Sequence, residues 1–278
     1  MGASSFRPLC SITNFTGDAR ALPHKLQPKI NASWVVLVTN PASSVQRRQW
    51  LRSQWARNLG LIAKDQRAQV LMKFFVGNAT LSAAEREIVQ AEQAAFEDIL
   101  LLEVADRDNP DPPPLGSGSA TTLKVMHGIQ WAVEHYQFDY FVRLGDDSYL
   151  RIDFLLELSK GWPREKMYRG ACDQKFTQPA KHPGVSPGVV GYCSGMGFVV
   201  SYDAAQYVSN NERFLDVGYP EDVVVGSWFV GTSIDVIDDK GFVHHRETAC
   251  NSSSAFLIHR MDQKPYWDMV DESGVMRC

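Results

Sequence analysis

Between Trp34 and Leu144 the chain alternates short, branched apolar runs with stretches of helical periodicity, and that order leaves few folds open. The runs are Trp34–Thr39, Val70–Val76, Asp98–Val104 and Tyr140–Leu144. They are too short for core helices and apolar at successive positions, as strands covered on both faces must be. Ser43 or Ser44 can cap a helix running through about Arg57. Ser82-Ala-Ala-Glu85 is a capping box opening a second helix toward Phe96. From Ala120, the spacing of Leu123, Met126, Ile129, Val133 and Tyr136 predicts a third. Strand, helix and strand in repetition need crossover connections, so the expected class is α/β, with a mainly parallel sheet and helices on both faces. With 44% hydrophobic residues in 278, the chain can bury a substantial core. Residues 1–33 mix Pro, Lys, Asn and Thr without sustained periodicity and read as a stem-like lead-in, leaving 34–278 as the folded domain.

The last of these strands ends abruptly. Gly145 frees the backbone, and Asp146 and Asp147 follow at the strand's carboxyl end, where open α/β sheets place their ligands. Adjacent carboxylates repel each other unless something positive lies beside them. Magnesium or manganese suits such oxygen ligands and arrives with substrate phosphates. From these residues alone, a solvated turn is an equal reading. A net charge of −4 argues against a general nucleic-acid binder or a polybasic membrane surface, so an anionic substrate would be held by local charge or metal.

Other positions carry paired readings. Arg48 and Arg52 share one helix face, which either meets a phosphate or uracil or is simply solvated. Gly195 and Gly197 precede an apolar strand and permit either a bend or close approach to a ligand. Glu221 and Asp222 follow a proline in the first turn of a helix. They either complement its dipole or place a general base at a cleft rim. His259, after an apolar run, reads on its own as a packed histidine. In the second half, Arg151 to Lys160 and Tyr202 to about Ser209 read as helices, and Met167–Gly170 as a strand before a Pro- and Gly-rich loop at 173–191. The five cysteines include no Cys-x-x-Cys pair, which argues against zinc. Cys172 with Cys193, and Cys250 with Cys278, are pairings that close moderate loops. Sequons stand at Asn14, Asn31, Asn78 and Asn251. No run reaches membrane-spanning length, and the first residues lack a signal core, so no membrane anchor is expected within these residues.

Taken together, several motifs resemble a family. Arg48-x-x-Leu51-Arg52-x-x-Trp55, Leu123-Lys124 with Trp131, Arg143-Leu-Gly-Asp-Asp-Ser-Tyr149, Ser194-Gly-Met-Gly197 and Glu221-Asp-Val-x-x-Gly226 occur in the order found in the β-1,3-glycosyltransferases. The resemblance spans about residues 34 to 260. The tail, Ala249-Cys-Asn251 with Phe256-Leu-Ile-His259, looks most like the linkage-region galactosyltransferase branch. The resemblance implies a GT-A-like single domain that moves galactose or N-acetylglucosamine from a UDP-sugar to a glycan or glycoprotein hydroxyl, in β-1,3 linkage with inversion. The cofactor it implies is Mn2+ or Mg2+, with Asp147 and His259 as metal ligands and Asp222 as the base. Arg48, Arg52 and Lys124 fall where basic residues lie near the nucleotide, and Asp146, Gly195, Gly197 and Glu221 are assigned to the same substrate site. The expected compartment is the Golgi lumen, as the ectodomain of a type II membrane protein, with a secreted form as the alternative. One departure stands out: Gly145 occupies the place of the family's first Asp. It leaves open a non-catalytic glycan-binding or chaperone-like relative, and the Asp pair leaves open a metal-dependent nucleotide phosphohydrolase.

Overall fold

A computed structural model describes residues 29–60, 64, 69–112, 114–115, 117–172, 174–177, 189–244, 254–261 and 268–270. The chain enters through β1 (Ile30–Asn31) and β2 (Trp34–Thr39), then α1 (Val45–Gly60), β3 (Val70–Gly77), α2 (Ala83–Phe96) and β4 (Ile99–Leu102). Next come α3 (Ala120–His135), β5 (Tyr136–Gln137), β6 (Tyr140–Gly145), β7 (Tyr149–Leu150), α4 (Ile152–Leu158) and β8 (Met167–Gly170). The second half adds β9 (Gln174–Thr177), β10 (Val189–Tyr192), β11 (Gly197–Ser201), α5 (Tyr202–Asn211), α6 (Glu221–Trp228), β12 (Asp235–Asp238), β13 (Phe242–Val243) and β14 (Leu257–Ile258).

Seven of these strands form the central sheet, in the order β12-β8-β11-β6-β2-β3-β4. Pairing is parallel from β6 through β2 and β3 to β4 and between β12 and β8, while β11 runs antiparallel to both β6 and β8. The expected mixed, mainly parallel α/β sheet is therefore present. Helices cover both faces, because alternate side chains of each buried strand point to opposite sides. Val36, Val38, Val142 and Leu144 pack with Trp50, Leu51 and Trp55 of α1 and with Val89 of α2. Val35, Leu37, Phe141 and Phe198 pack with α3, α5 and α6 on the other side. The capping box of α2 forms as expected, with Ser82 and Glu85 satisfying each other's backbone N–H.

Three features were not foreseen. Within the expected 173–191 loop, β9 and β10 pair antiparallel, because backbone pairing of four-residue strands leaves no period to read. The edge strand β12 joins the sheet, and β13, β14 and β7 make a small separate sheet. Strands of two to four residues carry too little periodicity to be read in sequence. The Cys172–Cys193 disulfide forms, tying the end of β8 to the turn before β11. Asn31 and Asn78 lie within the described residues, whereas Asn14, Asn251, Cys10, Cys250, Cys278, most of the stem-like segment and much of the 173–191 loop fall outside them.

Gly128 on α3 has a packing reason. A Cβ there would stand 1.8 Å from Cε2 of Phe75 on β3. Gly-to-Ala inside a helix ordinarily gains up to about 1 kcal/mol. Here overpacking, worth about 1–3 kcal/mol, reverses the sign. Gly128→Ala should therefore lower the urea midpoint, and an unchanged or raised midpoint would refute this account.

Candidate active site

The Asp146–Asp147 turn is fixed from several sides. Gly145 N donates to Met196 O at 3.1 Å, Ser148 N donates to Gly145 O at 3.1 Å, and Ser148 Oγ donates to Met196 O at 2.8 Å. The small sheet supplies the rest. In it β14 pairs antiparallel with β7, Ile258 opposite Tyr149, and Met261 N donates to the Asp147 carbonyl at 2.7 Å. That ladder delivers His259, whose Nε2 lies 3.0 Å from Asp147 Oδ2. Burial by itself would raise the Asp147 carboxyl, but the hydrogen bond and charge of His259, with Arg143 beyond, outweigh it and hold the group below its usual range. Asp146 turns the other way. Its carboxylate accepts from Asn40 Nδ2 and from Arg47 Nη1, both at 2.9 Å. Burial pushes it up; Arg47 opposes this and the Asp147 charge adds to it.

These groups border a cleft of about 320 Å3 at the carboxyl ends of β2 and β6, whose walls include Asn40, Lys124, Asp146, Asp147, Gly195 and His259. Lys124 reaches the wall but is engaged: Nζ donates to Asp106 Oδ1 at 3.0 Å and to Asn40 O at 3.3 Å. Burial lowers its pKa, with Asp106 opposing. Asp106 in turn accepts from Ala42 N and Gly77 N, so this pair pins the strand ends that shape the cleft.

The two arginines expected near the nucleotide are placed elsewhere. Arg48 is fully buried, its guanidinium bound by both Glu92 oxygens at 2.9 and 2.7 Å, by Pro41 O and Ala42 O, and by Asn40 Oδ1. Arg52 is shared between Glu92 Oε1 and both Asp98 oxygens and lies over the Phe96 ring. A buried guanidinium must spend its donors on internal acceptors, so this helix face points into the protein. Arg48 therefore shapes the Asn40–Ala42 turn from behind, and the basic group facing Asp146 is Arg47, which the sequence reading passed over.

A second cleft, of about 310 Å3, adjoins the first and shares Gly195 and Thr121 with it. Its far wall is the start of α6. Asp222 Oδ2 accepts from Gly195 N at 3.2 Å and Oδ1 from Val223 N at 2.9 Å. Each oxygen keeps a lone pair for a ligand. Glu221 is buried. Its Oε2 pairs with Arg143 Nη2 at 3.2 Å, while Oε1 has no hydrogen-bond partner. Burial pushes its pKa up to about 7, Arg143 opposing and Asp222 adding. Gly197 borders neither cleft. A Cβ there would meet Leu257 Cδ1 at 2.8 Å and Arg143 O at 2.9 Å, so packing within the protein, rather than a ligand, calls for glycine.

A divalent cation fits the donors present at Asp147. Carboxylate oxygen and imidazole nitrogen suit manganese or magnesium. The two side chains lie 3.0 Å apart, so both would be within reach of one ion that took the place of the proton between them. His259 Nδ1 is buried without a partner. No cluster of three or more His, Cys, Asp or Glu side chains able to hold a metal occurs among the described residues. Such an ion would draw its remaining ligands from substrate and water.

Comparison with known proteins shows the family of the chain. A family model described as Galactosyltransferase matches residues 46–240. β-1,3-Galactosyltransferase 6 of Mus musculus is 26% identical over 94% of this chain and 78% of its own length. Probable β-1,3-galactosyltransferase 5 of Arabidopsis thaliana is 25% identical over 76% of this chain, which spans 54% of that protein. Among solved structures, the galactosyltransferase LgtC with donor and acceptor sugar analogues aligns over 81% of this chain and 86% of its own, at 13% identity and a TM-score of 0.46.

Proposed function

Since the chain belongs to the galactosyltransferase family, whose model takes in residues 46–240, we propose that it is an inverting, metal-dependent transferase. It moves galactose from UDP-galactose to a glycan or glycoprotein hydroxyl in β-1,3 linkage, with UDP-N-acetylglucosamine as the alternative donor. The names of the mouse and plant relatives favour galactose. The observation that carries the reading is the meeting of two clefts at Gly195. One is walled by an Asp–His pair of metal-binding type, the other by a carboxylate held on backbone amides. The expected setting is the Golgi lumen; no helix among the described residues is long and apolar enough to cross a membrane.

Asp147 and His259 would hold Mn2+ or Mg2+, which when bound neutralises charge on the departing diphosphate. Asp146, kept in place by Asn40 and Arg47, borders the same donor cleft. Gly195 carries no side chain between donor and acceptor, so the two can approach for direct displacement. Asp222 accepts the proton of the attacking hydroxyl as that oxygen bonds to the anomeric carbon and the diphosphate leaves. Its two backbone hydrogen bonds keep the carboxylate aimed across Gly195.

Gly145 supports a second reading, a glycan-binding relative without turnover. A Cβ at 145 would stand 2.9 Å from Asp147 Oδ1, so the family's Asp there would force Asp147 to turn. Calorimetric titration of UDP, first with manganese and then with chelator, separates the two. Manganese-dependent binding that disappears in Asp147→Ala is the expected result, followed by transfer from UDP-galactose to a sugar acceptor. Absence of UDP binding under both conditions would favour the second reading.

A further inference from the structure

Arg143 is the one charged side chain in the apolar run Tyr140–Leu144, and it sits in the middle of the central sheet. It is 5% exposed, opposite Leu37 on β2 and Phe198 on β11. A guanidinium in that position must find internal acceptors or destabilise the fold. The acceptors it finds belong to the other end of the site. Nη1 donates to the carbonyl of Gly195, and Nη2 pairs with Glu221 Oε2. The same Gly195 donates its N–H to Asp222 Oδ2, and Glu221 is the residue beside Asp222. Thus one side chain grips both supports of the carboxylate: the residue whose amide N–H holds it and the start of its helix. Arg143 also borders the donor cleft.

We infer that Arg143 is the positioning residue for the base: through Gly195 and Glu221 it fixes the Asp222 carboxylate against the acceptor cleft. It touches no reacting atom. The inference rests on the reading of Asp222 as base and adds the device that aims it. Glu221 has a stated part as the acceptor that anchors the guanidinium through Oε2. Geometry of this kind matters in proportion to how much a misplaced base loses, on the order of 100-fold for a displacement of about 1 Å.

The test is a double-mutant cycle on the purified transferase with UDP-galactose, manganese and a sugar acceptor. Arg143→Gln should lower kcat about 100-fold while the donor KM changes less than about three-fold, and Arg143→Lys, which keeps the charge, should recover part of the loss. In the Asp222→Asn background, Arg143→Gln should cost less than about three-fold in residual rate, because the group it positions is already gone. Equal losses in both backgrounds would show a merely structural role and overturn the inference. So would a wild-type kcat in Arg143→Gln. If Arg143→Gln fails to fold, Glu221→Gln takes its place, since it removes the anchoring charge with little change of shape. It should lower kcat about ten-fold with Asp222 present and leave the residual rate of Asp222→Asn unchanged, and equal effects would again overturn the inference. Should Asp222→Asn keep wild-type turnover, or the wild type transfer no sugar, the base assignment itself falls and this inference with it.

Discussion

Asp222→Asn should bind UDP with manganese as tightly as the wild type and transfer sugar at least about 100-fold more slowly, the usual range for losing a general base being about 100- to 10,000-fold. The replacement keeps the shape of the side chain and removes its capacity to take a proton. Donor binding should survive because Asp222 borders the acceptor cleft, not the donor cleft. Some local cost is expected. An amide offers one acceptor oxygen where the carboxylate offers two, so either Gly195 N or Val223 N loses its partner. A single exposed-edge hydrogen bond is worth about 1 kcal/mol, too little to unfold the domain. Loss of turnover with binding intact is therefore a chemical effect. Steady-state transfer measured beside calorimetric UDP affinity decides it: retained turnover would remove Asp222 from the mechanism, and lost UDP affinity would move it to the donor side.

The largest stability effect should come from Glu92→Ala, at about 3–5 kcal/mol, the range for breaking a buried ion pair by deleting one partner. Glu92 is the shared acceptor of Arg48 and Arg52, whose side chains are 0% and 13% exposed. Burial works against its charge, but the hydrogen bonds and charges of the two arginines win and hold its carboxyl below the usual range. The sign for acid follows. A depressed native pKa contributes stability that is present above the unfolded value and lost as pH falls through the folded one. Wild-type stability should therefore decline on the acid side partly through this carboxylate, and Glu92→Ala should show a flatter decline from a lower start. Urea midpoints across that range test both. A stability loss below about 1 kcal/mol would mean that Asp98 and the turn carbonyls alone satisfy the two guanidinium groups.

The central strands and helices were legible because each is long enough to show its period. Trp34–Thr39 and Tyr140–Gly145 are buried throughout, as their unbroken apolar runs required. The Asp pair was legible as the end of such a strand, while the choice between a site and a solvated turn was not. Arg48 and Arg52 show the limit. Their spacing placed them on one helix face, but spacing does not reveal which way that face points, and the acceptors that bury them, Glu92 and Asp98, lie some forty residues away. His259 could be linked to Asp147 only through resemblance, because β14 and β7 are two residues each and leave no pattern. Arg143 went unread as a site residue although its signal was present: a lone charge inside an apolar strand needs a partner, and asking for that partner leads to Glu221.

The small sheet that brings His259 to Asp147 also sets an order in time. The two residues are separated by a little over a hundred positions, and β13 and β14 come late in the chain. At about 5–20 residues per second, translation takes about 6–22 s to pass from one to the other. During that interval the strands around Asp147 can pair while its histidine does not yet exist. Any metal held by both residues, as proposed above, would thus be captured late in the protein's synthesis, and a nascent chain stalled before residue 259 would lack the histidine of the proposed pair.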